Sequence, residues 1–111
     1  MWIGVITLFP EMFSALTEHG VVGRAFRDEK AVLSLWNPRD YTTDKHRTVD
    51  DKPYGGGAGM VMMADPLSAA LEAARAAAPD GTEVVYLAPT GRTFTQALAG
   101  QATEYSGLIL V

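Results

Sequence analysis

The residues from Tyr54 to Met60 are the part of the sequence best suited to bring main chain close to a ligand. Four of the five residues from 55 to 59 are glycines. Glycine adopts positive φ readily and places no side chain between the backbone and a flat or anionic ligand. A Walker phosphate loop is excluded, because Met60 and Val61 stand where that motif needs lysine and then serine or threonine. The pattern predicts a binding loop. The alternative is a surface linker, which the apolar run 60–63 disfavours.

The segment just before the glycines, from Arg39 to Lys52, is a second candidate for chemistry. It carries four basic and four acidic residues, so it is no simple phosphate-binding patch. Lys45, His46 and Arg47 are nevertheless adjacent donors suited to phosphates, and a carboxylate can accept from guanine N1–H or N2–H. Asp50 is the only candidate for a catalytic base. A solvated loop with internal ion pairs remains an equal alternative.

A third candidate follows a predicted strand. Ligands of open parallel sheets bind beyond the carboxyl ends of the strands. Main-chain groups there, beside apolar Leu87 and Pro89, can hold an adenine, although a plain strand-to-helix turn is the alternative. The candidate cofactor residues are Tyr86, Leu87, Ala88, Pro89, Thr90 and Gly91. No metal site is predicted, because His19 and His46 lack a third ligand and the chain has no cysteine.

Alternating strands and helices must position these segments. The strand 2–9 is an almost continuous apolar run, which is typical of a strand buried on both faces. Asp65-Pro66 is typical of an N-cap followed by the first helical residue. The predicted strands are 2–9, 31–36, 83–87 and 108–111, and the predicted helices are 10–19, 21–27, 67–78 and 93–102. This alternation predicts an α/β fold with a parallel sheet and flanking helices.

Length and composition limit the possible classes of protein. With 111 residues and a net charge of −4, the chain forms one domain and is not a general nucleic-acid-coating protein. It has no run long and apolar enough to span a bilayer and no signal peptide, so we expect a cytoplasmic protein without a membrane partner. The chain stops within an apolar strand, which indicates a partial domain over residues 1–111.

Taken together, these segments resemble the start of the bacterial tRNA (guanine-N1)-methyltransferases, the TrmD family. The stretch from His46 to Met60, HRTVDDKPYGGGAGM, is highly specific, and LAPTGR at 87–92 continues the match. Two departures are Ala58, where proline is commoner in the family, and Ala88, where serine is frequent. The matching stretches are 6–13, 37–41, 46–57, 59–62 and 86–92.

The resemblance implies an S-adenosylmethionine-dependent homodimer with a SPOUT-type trefoil-knot fold. Such enzymes methylate N1 of the guanine immediately 3′ of the tRNA anticodon, and magnesium is a possible cofactor. By this resemblance Tyr86 to Gly91 holds the cofactor, whereas His46, Arg47 and Asp50 face the tRNA. The residues expected to line the guanine pocket are Gly55, Gly56, Gly57, Ala58 and Gly59.

The resemblance also implies that the rest of the knot, the catalytic aspartate and arginine, and a C-terminal RNA-binding domain lie beyond Val111. We therefore expect a methyltransferase whose 111-residue portion is inactive alone, with an incomplete knot. The alternative is a non-catalytic nucleotide- or RNA-binding module that uses the glycine-rich loop. Such a module should fold and bind by itself.

Overall fold

The computed structural model describes all residues from 1 to 111. Its strands are β1 (Trp2–Ile6), β2 (Val32–Trp36), β3 (Asp50–Asp51), β4 (Val61–Met62), β5 (Thr82–Val85) and β6 (Gly107–Leu110). Its helices are α1 (Ser14–Thr17), α2 (Gly20–Arg27), α3 (Ala64–Ala77) and α4 (Gln96–Ala102), with 3-10 helices at Pro10–Phe13 and Pro38–Tyr41. No helix has both the length and the apolar composition needed to cross a bilayer.

Four strands form the main sheet, in the order β2-β1-β6-β5. Each neighbouring pair is parallel, with Trp2 opposite Val32 on one side and opposite Gly107 on the other. The α/β class and the parallel sheet with flanking helices are thus confirmed. The sheet's carboxyl edge gathers the loops that follow β1, β2 and β5.

Helices cover both faces of this sheet. A cavity of about 500 Å³ is lined by Phe13 and Phe26 together with Leu33 and Leu35 of β2, so the first helices lie over that face. Residues at the end of α3 line a second cavity together with Val84 and Ile109, which point to the opposite face because side chains alternate along a strand. Only ten residues are buried, Val5 on the first face and Ile109 on the second among them.

Helix α3 packs through a row of small side chains. Pro66, Ala70 and Ala74 recur every fourth residue and are its buried positions, which allows its backbone to approach its neighbours closely. The helix begins at Ala64 after Met63, with no side-chain cap. The prediction of Asp65 as the N-cap is therefore wrong. Asp65 lies inside the first turn, where its negative charge interacts favourably with the positive end of the helix dipole.

Three element boundaries also differ from the prediction. β1 ends at Ile6, because Phe9 donates its amide to Oγ1 of Thr7 (3.1 Å) and the chain turns into the first 3-10 helix. β5 ends at Val85. α4 starts at Gln96, because Oγ1 of Thr95 accepts from the Leu98 amide (3.3 Å) and caps the helix.

The spacing of apolar residues in 12–16 and 22–26 predicts an inward-facing stripe on the first two helices, and only part of it forms. Phe13 and Phe26 are half-buried beside β2, whereas other members of the stripe are exposed. Met12 is 69% exposed, and Leu16 and Val22 are each 55% exposed. A 3-10 turn followed by a four-residue α1 breaks the regular 100° spacing on which the stripe depends. Likewise β1 is mostly half-buried, not buried on both faces, because few side chains cover the sheet.

Candidate functional site

The glycine-rich loop connects the two strands of a small hairpin. β3 and β4 pair antiparallel, with Asp50 opposite Met62 and Asp51 opposite Val61. The sequence predicted no strand or helix between 37 and 66, so these two strands and the 3-10 helix Pro38–Tyr41 were missed. Strands of two residues carry too little alternation to be recognised. The hairpin fixes both ends of the segment from Lys52 to Met60.

Val49 anchors this hairpin to the rest of the domain by packing and by a main-chain hydrogen bond. Its side chain is fully buried, and its carbonyl accepts from the Met63 amide at 2.7 Å. It is the single apolar residue between Thr42 and Lys52, which is the signal that could have revealed the anchor. The base of the hairpin is thus held by apolar packing while its polar residues remain in solvent.

All four glycines of the loop adopt positive φ. Gly55 (+80°) occupies the third position of a turn closed by a hydrogen bond of 3.0 Å from the Gly56 amide to the Pro53 carbonyl. That position of a type II turn requires positive φ. Gly56, Gly57 and Gly59 have φ of +86°, +130° and +85°. A Cβ atom at any of the four would meet nothing within 4 Å, so open space surrounds this main chain.

The Gly56→Ala variant should therefore be destabilised by backbone strain alone. We expect a loss of about 1 kcal/mol, the cost of left-handed φ for a residue with a Cβ. Gly100→Ala is the matched control, because it also adds a methyl group to open space but inside α4. It should stabilise by up to about 1 kcal/mol. Urea unfolding of both variants checks the opposite signs, and equal shifts would contradict the strain argument.

The charged segment is folded by its own hydrogen bonds. The Asp44 carboxylate accepts from the Thr48 hydroxyl (2.7 Å) and from the Thr48 amide (3.0 Å). The hydrogen bond from the Thr48 hydroxyl has the largest effect on Asp44. Together with the amide bond it holds the pKa of Asp44 below its ordinary value. The turn that these two bonds close carries Lys45, His46 and Arg47. Thus the alternative of a loop with internal bonding describes part of this segment.

The side chains of the turn have different surroundings. Arg47 forms an ion pair with Asp40. The side chains of Lys45 and His46 are exposed and make neither a hydrogen bond nor an ion pair. These two residues are therefore the free donors of the turn.

Asp50 lies on β3, one of the two strands that the glycine loop connects. Its carboxylate is exposed and accepts no hydrogen bond, whereas the carboxylate of Asp51 accepts from the Lys52 amide at 2.7 Å. Successive side chains of a strand point to opposite faces. Asp50 is therefore the carboxylate of this pair that is free to accept from a ligand, although no orienting partner holds it as a base.

Tyr86 to Gly91 continues from the carboxyl end of β5. The Leu87 amide donates to the Val111 carbonyl (2.9 Å), whereas the Tyr86 peptide faces the sheet's unpaired edge. A turn follows, closed by a 2.9 Å bond from the Gly91 amide to the Ala88 carbonyl. The side chains of Tyr86 and Leu87 are exposed. Unpaired main-chain groups beside apolar side chains fit the adenine-binding arrangement expected from the sequence.

No group of three histidine, cysteine, aspartate or glutamate side chains is close enough to hold a metal ion. Magnesium prefers several oxygen ligands in octahedral geometry. Residues 1–111 therefore contain no preformed cluster of three such ligands for a magnesium ion.

Comparison with known proteins places the three candidate segments in one family of proteins. A family profile described as tRNA (Guanine-1)-methyltransferase TrmD matches residues 1–111. The tRNA (guanine-N(1)-)-methyltransferases of Shewanella amazonensis and Aeromonas hydrophila are each 60% identical over the whole chain, which covers 44% and 45% of their lengths. The corresponding enzyme of Hahella chejuensis is 57% identical, with 43% of its length covered.

The chain thus spans less than half of these relatives. The family profile nevertheless covers all 111 residues, including the hairpin, the charged segment and Tyr86 to Gly91. The chain therefore belongs to the tRNA (Guanine-1)-methyltransferase TrmD family.

Proposed function

We propose that the protein containing this chain methylates N1 of the guanine immediately 3′ of the anticodon in tRNA. The match of the family profile to every residue of the chain carries this proposal. The names of the relatives, tRNA (guanine-N(1)-)-methyltransferase, agree with it. The exposed glycine main chain and the free carboxylate beside it are the features of the structure that support a guanine site.

The guanine would lie against the main chain of residues 55–59. No side chain other than that of Ala58 stands between the ligand and these peptides. Asp50, at the start of the hairpin, would accept from N1–H or N2–H of the base, which positions the edge that must be methylated. Removing the N1 proton makes that nitrogen nucleophilic, and a carboxylate is a suitable acceptor for it.

The methyl donor is S-adenosylmethionine in this proposal, and its sulfonium supplies an activated methyl group. The Tyr86 peptide and the apolar Leu87 and Pro89 would bind the adenine by main-chain hydrogen bonds and packing. The turn at Ala88–Gly91 is tight, because a Cβ at position 91 would lie 3.1 Å from the Ala88 carbonyl oxygen. Glycine thus allows the turn to close.

We further propose that residues 1–111 are one part of a methyltransferase domain that acts as a cytoplasmic homodimer, with a separate C-terminal RNA-binding domain. The few buried residues and a radius of gyration of 15.7 Å support this proposal. A complete domain of this length has a radius of gyration of about 13 Å. Much of the sheet and helix surface is therefore free to contact further protein.

A methyl-transfer assay with the full-length protein tests the function. Two tRNA transcripts should be compared, one with guanine 3′ of the anticodon and one with adenine there. We expect N1-methylguanine, identified by mass spectrometry of the digested RNA, only in the guanine transcript, and none with the 111-residue chain alone. Tight tRNA binding without methylation would instead favour the non-catalytic RNA-binding module.

A further inference from the structure

Two arginine side chains join the two ends of the charged segment by hydrogen bonds. Nη1 of Arg39 donates to the Arg47 carbonyl (3.0 Å), and Nε of Arg47 donates to the Arg39 carbonyl (3.2 Å). The Arg47 guanidinium also pairs with the Asp40 carboxylate. We call Arg39, Asp40 and Arg47 the arginine clasp. Its bonds join the 3-10 helix Pro38–Tyr41 to the end of the turn that begins at Asp44.

The clasp stabilises a strained backbone conformation at Arg47. Arg47 has φ of +51°, a left-handed conformation that costs a residue with a Cβ about 1–2 kcal/mol. Such conformations persist where surrounding contacts determine them. Here the Arg47 side chain supplies part of those contacts, and the Asp44–Thr48 bonds supply the rest.

Both ends of the clasped segment are anchored. Pro38 is buried, and the 3-10 helix that it begins packs against α3. Val49 is buried at the other end. Lys45 and His46 lie between these anchors, with exposed side chains that make no bond of their own. The segment is thus built to present these two donors.

We infer that Arg47, Arg39 and Asp40 are positioning residues, and that Lys45 supplies the phosphate contact at this place. This inference rests on the proposed function, with tRNA as the ligand. Arg47 is a poor phosphate contact because Asp40 neutralises its charge. Lys45 has no such counter-ion, and an unpaired ammonium suits a phosphate oxygen.

The two roles of Arg47 predict opposite effects of Asp40→Asn on tRNA binding by the full-length protein. If Arg47 contacted a phosphate, removal of Asp40 would release its charge and tighten binding. If Asp40 positions the segment, Asp40→Asn weakens binding, by up to about fivefold, the upper limit for one exposed ion pair. Asp40→Glu keeps the carboxylate and should bind like the wild type. Asp80→Asn, in the turn before β5, makes the same charge change elsewhere and should have no effect.

Salt dependence separates contact from positioning. Each phosphate contact contributes about 0.7–0.9 to the slope of log K against log salt concentration. Lys45→Ala should lower the slope by roughly this amount. Arg47→Ala should weaken binding with the slope unchanged. A lower slope in Arg47→Ala, or tighter binding in Asp40→Asn, overturns the inference while the proposed function stands. A wild-type protein that does not bind tRNA overturns both.

Discussion

The Asp50→Asn variant of the full-length protein is expected to lose about 10- to 100-fold in kcat/KM for methylation of tRNA. A hydrogen bond to a charged group contributes about 1.5–3 kcal/mol, and asparagine offers neither the charge nor a proton acceptor of comparable strength. The loss should be large because Asp50 is exposed and accepts no other hydrogen bond, so its carboxylate is available to the base. Steady-state kinetics with a single tRNA transcript measure the effect.

Asp51→Asn is the matched control. It makes the same change one position along β3, on the opposite face of the strand, where the carboxylate already accepts from the Lys52 amide. Its kcat/KM should stay within about twofold of the wild type, since an exposed side chain on the opposite face does not reach the ligand that Asp50 contacts. Equal losses in both variants would mean that charge near the hairpin, and not the Asp50 contact, determines the rate.

The Gly107→Ala variant should be destabilised by about 1–3 kcal/mol, the usual cost of overfilling a packed site. A Cβ there would lie 2.8 Å from Oγ1 of Thr82 and 3.0 Å from both Cε3 and the carbonyl oxygen of Trp2. The Trp2 main chain cannot move without disturbing the pairing of β1 with β6. Denaturant unfolding of the full-length protein measures the change.

A second substitution identifies the cause. In a Thr82→Ala background the nearest contact is removed, so Gly107→Ala should cost less there than in the wild type. Contacting residues are expected to show such non-additivity. Gly100→Ala adds the same methyl group without a neighbour and should not destabilise. Additive effects at positions 82 and 107 would refute the steric explanation.

The sequence was sufficient to predict the parallel sheet and to single out the candidate segments around it. Strands such as β1 and β6 are dense in β-branched and aliphatic residues, and α3 is rich in alanine, so local composition specifies them. The glycine-rich segment was found because four glycines in five residues have few other uses. All four glycines adopt the positive φ that this residue type allows, and the main-chain binding role stays a prediction.

What the sequence could not predict depends on contacts between distant residues. The pairing of β3 with β4 is fixed by the buried Val49 and not by an alternating pattern. The bond between Arg39 and Arg47 likewise requires a folded turn before either side chain can reach the other's carbonyl. The roles of His46 and Asp50 as tRNA-binding residues remain predictions, because they concern a ligand.

The strand order has a consequence for the route by which this chain folds. β6, the last strand along the chain, lies between β1 and β5 in the main sheet. During synthesis β1 and β2 can pair early, but β5 has no partner until β6 emerges and inserts between the two halves. Contacts between distant segments must overcome loop-closure entropy before they stabilise anything, so such pairings form slowly. A nascent chain would therefore have an incomplete sheet with exposed apolar strand edges until β6 is made. Such edges are prone to aggregation and are the kind of surface that chaperones protect.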